Sequence, residues 1–366
     1  MASLIGFARA YSAPGTAPVA LQETTYQRGS ESLPARIYRP AKQSGKPLPG
    51  WVVLHGLTRT GREHPSLHRF ATAVAASGSL VLVPDIPEWR DLRVAPAITV
   101  DTIRAAVRAL QMRKDVAHEH AGLLGFSFGA TQALIAATDP DIAGLLHGIA
   151  AWGGYCDLPS LFEFGMTGYH EVDGVRHFIE PDPYGSWVMA GNYLTGVPGH
   201  ENDGAIAEAV HALAIEAGER GIYAWDPVFD ASKAAARARL KPAQRETFDI
   251  IAPMTTSPRK PTDEALHLGR ELAAAAVRED PLLDPTPFLD RATVPTLLAH
   301  GRDDRLIPFS QTIALRRALP ARVVKRCTIT GLFSHSGGTV ETLGPASKAV
   351  EAVRFAALLR ALLNLT

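Results

Sequence analysis

The stretch from Gly122 to Ala130 reads Gly-Leu-Leu-Gly-Phe-Ser-Phe-Gly-Ala and sets Ser127 between Gly125 and Gly129, the pattern Gly-x-Ser-x-Gly. A serine hydroxyl is a poor nucleophile unless it is exposed beside a base, and a sharp strand-to-helix turn exposes it at the top of a sheet. Glycines two residues to either side suit such a turn, because a side chain there would collide where strand and helix pack around a strained central residue. Composition alone produces the pattern in roughly one chain of this length in ten, so its surroundings decide. Residues 121–126 form a short apolar run suited to a buried strand, and residues 130–137 continue in a helical pattern. Ser127 is therefore the expected nucleophile of an acyl transfer, and the rival reading is an ordinary Gly-rich turn.

Such a serine needs a base, an acid to orient that base, and backbone donors for the oxyanion. The sequence offers candidates at the ends of expected strands, where open parallel sheets place their sites. The run His300-Gly301-Arg302-Asp303-Asp304-Arg305-Leu306-Ile307-Pro308 starts at one such end, and His335 lies six residues after Ile329 closes another. Ser, Asp, His is also the chain order of one known triad architecture. Adjacent aspartates commonly cap turns, so Asp303 and Asp304 both stand as the acid. His300 reads as a strand-end hydrogen-bonding residue, since it precedes the acid loop.

Positioning these groups requires a sheet. Strands are expected at 19–27, 32–38, 51–54, 79–83, 121–126, 145–152, 295–300 and 322–329. The first two, joined near Gly29, form an opening hairpin. Helices are expected from Pro65, with Leu67, Phe70 and Val74 on one face; after a cap at Thr99, with Ile103, Val107 and Leu110 recurring; and at 310–319 and 345–363. Strands separated by single helices imply right-handed βαβ units and a mostly parallel sheet covered on both faces.

That rhythm stops after Gly154. Residues 155–289 show no convincing strand pair, but helical patterns near 203–219, 231–250 and 262–279, separated by proline-rich punctuation. They read as an inserted helical cap, with the core at 19–154 and 290–366. Residues 1–18, rich in Ala, Ser, Gly and Pro, read as an irregular N-terminal arm.

With 366 residues the chain can bury a large core, and 37 basic residues balance 37 acidic ones. Nothing in that balance suggests nucleic acid or an anionic membrane surface as partner. Only Cys156 and Cys327 occur, which excludes a disulfide scaffold. No segment has about 18 uninterrupted apolar residues, so no membrane span is expected, and the N-terminal apolar stretch is broken by Arg9. The expectation is a cytoplasmic protein, with export after removal of a signal peptide left open.

On these motifs the chain resembles the α/β-hydrolase fold superfamily, an eight-stranded, mostly parallel sheet with helices on both faces and, here, an inserted cap. The resemblance covers residues 19–154 and 290–366. It implies Ser127 as nucleophile, His335 as base and Asp304 as acid, because the family segment His-Gly-x-x-Asp-x-x-Val/Ile-Pro lines up with His300 to Pro308. His55-Gly56 matches the dipeptide before the family's oxyanion loop, which implies the Leu57 and Phe128 amides as oxyanion donors. The family often has Gly before the catalytic histidine, whereas Ser334 stands there, with Gly337-Gly338 following.

The implied activity is hydrolysis of small-molecule carboxylic esters through an acyl-enzyme, without cofactor or metal. Alternatives are acyl transfer or thioester cleavage by the same triad, and a non-catalytic binding protein on the same fold. A serine at the elbow disfavours the haloalkane dehalogenase and epoxide hydrolase branches, which use Asp, and the dienelactone hydrolase branch, which uses Cys. Homoserine acetyltransferase-like proteins are similar in length and helical insertion, but their His-Asp segment near the C-terminus is not found. Trp187, Met189, Tyr193 and Trp225 are candidates to line the substrate pocket or to form the cap's own core. Arg59 and Arg62 could hold a substrate carboxylate or stand as solvated loop charges. His64 and His68, four apart on a helix, lack a third ligand for a metal.

Overall fold

The computed structural model describes residues 3–42, 45–257, 261–332 and 344–365. Ten strands occur in chain order: β1 (Val19–Arg28), β2 (Glu31–Pro40), β3 (Leu48–Leu54), β4 (Leu80–Pro84), β5 (Val116–Phe126), β6 (Leu146–Trp152), β7 (Tyr169–Val172), β8 (Val175–Phe178), β9 (Thr296–Gly301) and β10 (Val324–Thr330). Eight of them form one sheet in the order β1-β2-β4-β3-β5-β6-β9-β10. The pairs β1–β2 and β2–β4 are antiparallel, and all the others in this sheet are parallel. All eight strands expected from the sequence are present.

The topology fixes where a site must lie. From β3 the chain goes to β4 on one side, then crosses back to β5 on the other side and continues outward through β6, β9 and β10. The carboxyl ends of β3 and β5 therefore flank the point where strand order reverses, the crevice in which open α/β sheets bind ligands. Apolar residues alternate between the sheet's two faces. Val52 and Leu54 of β3 belong to one buried cluster and Trp51 and Val53 to another. The first cluster runs without a break from the sheet into residues 155–289, through Trp187, Val210 and Leu272. That segment shares its core with the sheet.

Four local expectations are corrected. The N-terminal arm is not irregular: Leu4–Ser12 is a helix, capped by the Ser3 hydroxyl accepting from the Gly6 amide at 3.0 Å. Its Phe7 is buried edge-on against Phe70 of the helix Pro65–Ala76, with ring centroids 5.6 Å apart. A helix of nine residues is marginal on its own, and it is this tertiary contact that holds it in place. The helix expected to begin at Thr99 spans Pro96–Gln111 and starts after Ala95 at φ 36°, so Thr99 lies inside it. The Thr99 hydroxyl donates back to the Ala95 carbonyl at 3.4 Å instead of capping.

Within 155–289 a strand pair does exist, the antiparallel hairpin β7–β8. It turns at Asp173-Gly174, both at positive φ, and Asp-Gly between two short alternating runs is a strong hairpin signal. The helical pattern 231–250 is broken into Asp230–Arg239 and Arg245–Ile251, because Pro242 opens a tighter turn between them. The longer helices of this segment are Leu158–Thr167, Pro183–Tyr193, Gly204–Arg220 and Asp263–Glu279.

Two buried histidines make stability depend on pH. His170 of β7 stacks on His177 and packs edge-on against Phe309. Burial first, then the neighbouring His177 and His300, bring its pKa down to about 4. Burial likewise brings His55 to about 4. Unfolded histidines titrate near 6.5, so the unfolded chain binds these protons more tightly. Stability is then complete above about pH 6.5 and falls as pH drops toward about 4. Urea midpoints taken between pH 7.5 and 4.5 should show this fall, and His170→Leu should make it shallower. A midpoint independent of pH across that window would refute the buried neutral histidines.

Candidate active site

Strand β5 ends at Phe126 and the helix Phe128–Ala136 begins immediately, leaving Ser127 at φ 56°, ψ −127°. A non-glycine residue there is strained and persists only where its surroundings over-determine it. The surroundings do so. The Ser127 amide donates to the Trp152 carbonyl at the end of β6, 2.8 Å away. A Cβ on Gly125 would stand 2.2 Å from the Gly129 carbonyl oxygen, and one on Gly129 would stand 2.5 Å from the His55 carbonyl oxygen. The two glycines are thus demanded by close backbone approach, as the spacing implies.

The loop after β3 closes on this turn. A Cβ on Gly56 would lie 3.1 Å from the Ser127 Cβ and 3.6 Å from its Oγ, so the backbone at Gly56 runs against the serine. Phe128 opens the elbow helix, and its amide is one of the first-turn donors that a helix leaves without an internal acceptor. His55 is enclosed at the base of this loop. Its Nδ1–H donates to the Gly56 carbonyl at 2.7 Å, and its ring meets Trp89 edge-on. Held neutral by burial, it braces the loop.

On the far side of the sheet centre, β9 delivers the acid loop. Asp304 is wholly buried. Its Oδ1 accepts from the Leu306 amide at 2.9 Å and from the Ile307 amide at 3.1 Å, while Oδ2 lies 3.6 Å from His300 Nε2. His300 Nε2–H donates to the Ile307 carbonyl at 2.8 Å, and Nδ1 accepts from the Thr312 hydroxyl at 2.6 Å. His300 is therefore a brace of the acid loop, matching its reading as a strand-end residue. Asp303 is partly exposed. His335 lies outside the described residues.

The fold is that of the α/β-hydrolases. A mostly parallel eight-stranded sheet, a strained serine at the end of its central strand and an aspartate after β9 occur together in that arrangement. No family model matches the sequence, and no curated protein matches it. Among solved structures the chain is similar to an acylaminoacyl peptidase from Pyrococcus horikoshii, with TM-score 0.48 and 12% identity over 96% of this chain and 42% of that one. It is similar to a putative dienelactone hydrolase from Klebsiella pneumoniae, with TM-score 0.47 and 14% identity over 93% and 98%. It is also similar to brefeldin A esterase, a bacterial homologue of human hormone-sensitive lipase, with TM-score 0.49 and 17% identity over 99% and 86%. The chain spans about two fifths of the length of the acylaminoacyl peptidases it matches.

The three aromatic residues expected at the substrate separate in this fold. Trp187 is fully enclosed, edge-on to Phe229, with the Lys233 ammonium over its ring. Tyr193 is buried and its hydroxyl donates to Asp280 at 2.6 Å. Both are interior residues of the 155–289 segment. Trp225 is partly exposed and stacks on Tyr223. Its ring carries the guanidinium of Arg305, the residue after Asp304, at 4.7 Å, which places it beside the acid loop.

The other candidates have local roles. Arg59 pairs with Asp91 and Glu219, and Arg62 with Glu23 and Glu63. His64 Nδ1 accepts from the Ser66 amide, and His68 hydrogen-bonds with the Tyr38 hydroxyl. Among the described residues no cluster of three or more metal-ligating side chains occurs, and no helix is long and apolar enough to cross a membrane. Cys156 is buried, with its thiol pushed up to about 12 by burial. Two grooves on the 155–289 segment, of about 800 and 590 Å³, include neither Ser127 nor Asp304.

Sequence reasoning overlooked three residues that tie this segment to the site. Thr131 on the elbow helix brackets Tyr155 where the chain leaves β6, its Oγ1 bonding both the Tyr155 amide and carbonyl at 2.8 Å. Gln311 is buried and holds the start of the segment, accepting from the Cys156 and Asp157 amides and donating to the Asp157 carbonyl and the Ser160 hydroxyl. Tyr184 donates its hydroxyl to the Leu57 carbonyl. Only Gln311 had a sequence signal, an amide in a helix whose neighbours face the core.

Proposed function

We propose that this protein is a serine hydrolase of carboxylic esters. The observation that carries the reading is Ser127, strained at the end of β5 with the backbone at Gly56 against it. Ser127 Oγ attacks the ester carbonyl, and His335 takes its proton and returns it to the departing alcohol. Asp304 orients the imidazole, and the Leu57 and Phe128 amides hold the oxyanion. Water activated by the same histidine then releases the acyl group. Each step exchanges only protons and acyl groups, so the scheme calls on side chains and backbone alone. Residues 155–289 act as the cap over the carboxyl ends of the strands, and the substrate is a small molecule that enters beneath it.

Incubation with a fluorophosphonate followed by mapping of the adduct tests this reading. A stoichiometric adduct on Ser127 is expected. Folded protein without one would exclude Ser127 as an activated nucleophile.

Trp225 supplies part of the substrate wall in this scheme, and Trp187 does not. Trp225→Ala should change the preference between short and long acyl esters, by about 1 to 3 kcal/mol for a lost apolar wall. Trp187→Ala should cost about 3 to 5 kcal/mol of stability and lower all substrates together. Chain-length profiles and thermal midpoints on both variants check the division. A shifted profile with Trp187→Ala and none with Trp225→Ala would reverse it.

A further inference from the structure

The backbone beside Ser127 is held from the 155–289 segment. Tyr184 is the second residue of the helix Pro183–Tyr193, and its hydroxyl donates to the Leu57 carbonyl at 3.1 Å. The start of that helix is itself fixed. The Asp182 carboxylate accepts from the Tyr184 amide at 3.0 Å, and the Asp182 amide donates to the Arg305 carbonyl at 2.7 Å. One turn of chain therefore joins the acid loop on one side to the Leu57 loop on the other. Burial pushes the Tyr184 phenol up from its ordinary range, so it remains a donor at neutral pH.

A second clamp lies two residues further along. The Arg59 guanidinium donates to the Arg90 carbonyl at 2.8 Å and to Asp91, both in the part of the chain before residue 154, and to Glu219 at 3.1 Å on the helix Gly204–Arg220. A Cβ on Gly218 of the same helix would stand 2.6 Å from the Arg59 Cγ, so that helix is seated directly on the arginine stem. Gly56, just before Leu57, has no side chain to restrict its own rotation. The orientation of the Leu57 peptides thus depends on contacts from outside the loop.

We propose that Tyr184 is a positioning residue of the oxyanion hole: its hydroxyl fixes the Leu57 backbone, and the hole takes its working geometry only while the 155–289 segment is seated. The inference rests on Leu57 being an oxyanion donor in the hydrolase reading. Tyr184 touches the loop and acts on the reaction through it. Preorganised donors act on the charge that develops in the transition state, so loosening one should be felt in kcat and little in KM.

Tyr184→Phe removes the hydroxyl and keeps the ring. With an ester substrate, kcat should fall about tenfold while KM stays within about twofold, a part of the loss that follows removal of a whole oxyanion donor. The rate of fluorophosphonate labelling at Ser127 should fall in parallel, and the thermal midpoint should hardly move. Unmodified protein that labels at Ser127, with a Tyr184→Phe variant of unchanged kcat, overturns this inference alone. A raised KM at unchanged kcat does the same, because it would make Tyr184 a wall for the substrate. Failure of the unmodified protein to label overturns the hydrolase reading, and this inference with it.

Discussion

Ser127→Ala should lower the hydrolytic rate constant by about 10⁶, and His335→Ala should do the same, with the double variant hardly worse than either. In the proposed scheme nucleophile and base share one proton transfer, so removing either disables the same step and the second removal finds nothing left to disable. What survives should still exceed the reaction in water by about 10³ to 10⁴, since the oxyanion donors and substrate binding remain. The alanine also relaxes nothing essential in the fold. Residue 127 is held by its amide to Trp152 and by the tight approach of Gly125, Gly129 and Gly56, all independent of the hydroxyl. Kinetics on the three variants, with thermal midpoints to show that each is folded, checks this. Losses that multiply in the double variant would mean that the two residues serve different steps.

The legible parts of this chain were those in which local sequence and global fold ask for the same thing. β3 and β4 are buried on both faces and so appear as unbroken apolar runs. Gly-x-Ser-x-Gly was readable because a Cβ at Gly125 or Gly129 would stand 2.2 or 2.5 Å from a backbone carbonyl oxygen, which forbids side chains there. Asp304 could not be separated from Asp303 by type, since what distinguishes them is burial and two backbone amides, which the fold alone supplies.

The misread parts depend on contacts far along the chain. The Leu4–Ser12 helix is held through Phe7 against Phe70, a contact that a window of local residues does not contain. Trp187 and Trp225 are the same residue type in the same segment. One faces Phe229 and Lys233 in the interior, and the other meets Arg305 from the acid loop. The link from Tyr184 to Leu57 spans more than a hundred residues and leaves no periodicity behind it. The β7–β8 hairpin is a different case, because its Asp173-Gly174 turn was on view and was outweighed by the helical patterns around it.

Asp304→Asn should leave the protein folded and lower kcat by about 10⁴. The loop after β9 asks only for an acceptor at Oδ1, to which the Leu306 and Ile307 amides donate, and an asparagine carbonyl serves them equally well. His300 continues to brace the same loop through Thr312 and the Ile307 carbonyl. The loss falls on the second oxygen. In the proposed scheme a carboxylate there accepts the N–H of the catalytic imidazole and steadies the imidazolium that forms, whereas an amide NH₂ donates and so favours the tautomer with its lone pair on the wrong nitrogen. Asp303 is partly exposed, and Asp303→Asn should cost less than about tenfold, as expected of a charge in the loop that orients nothing. Measuring kcat and the thermal midpoint of both variants separates the neighbours. A large loss at Asp303 with little at Asp304 would move the acid by one residue. Equal small losses would mean that the imidazole is oriented by another group.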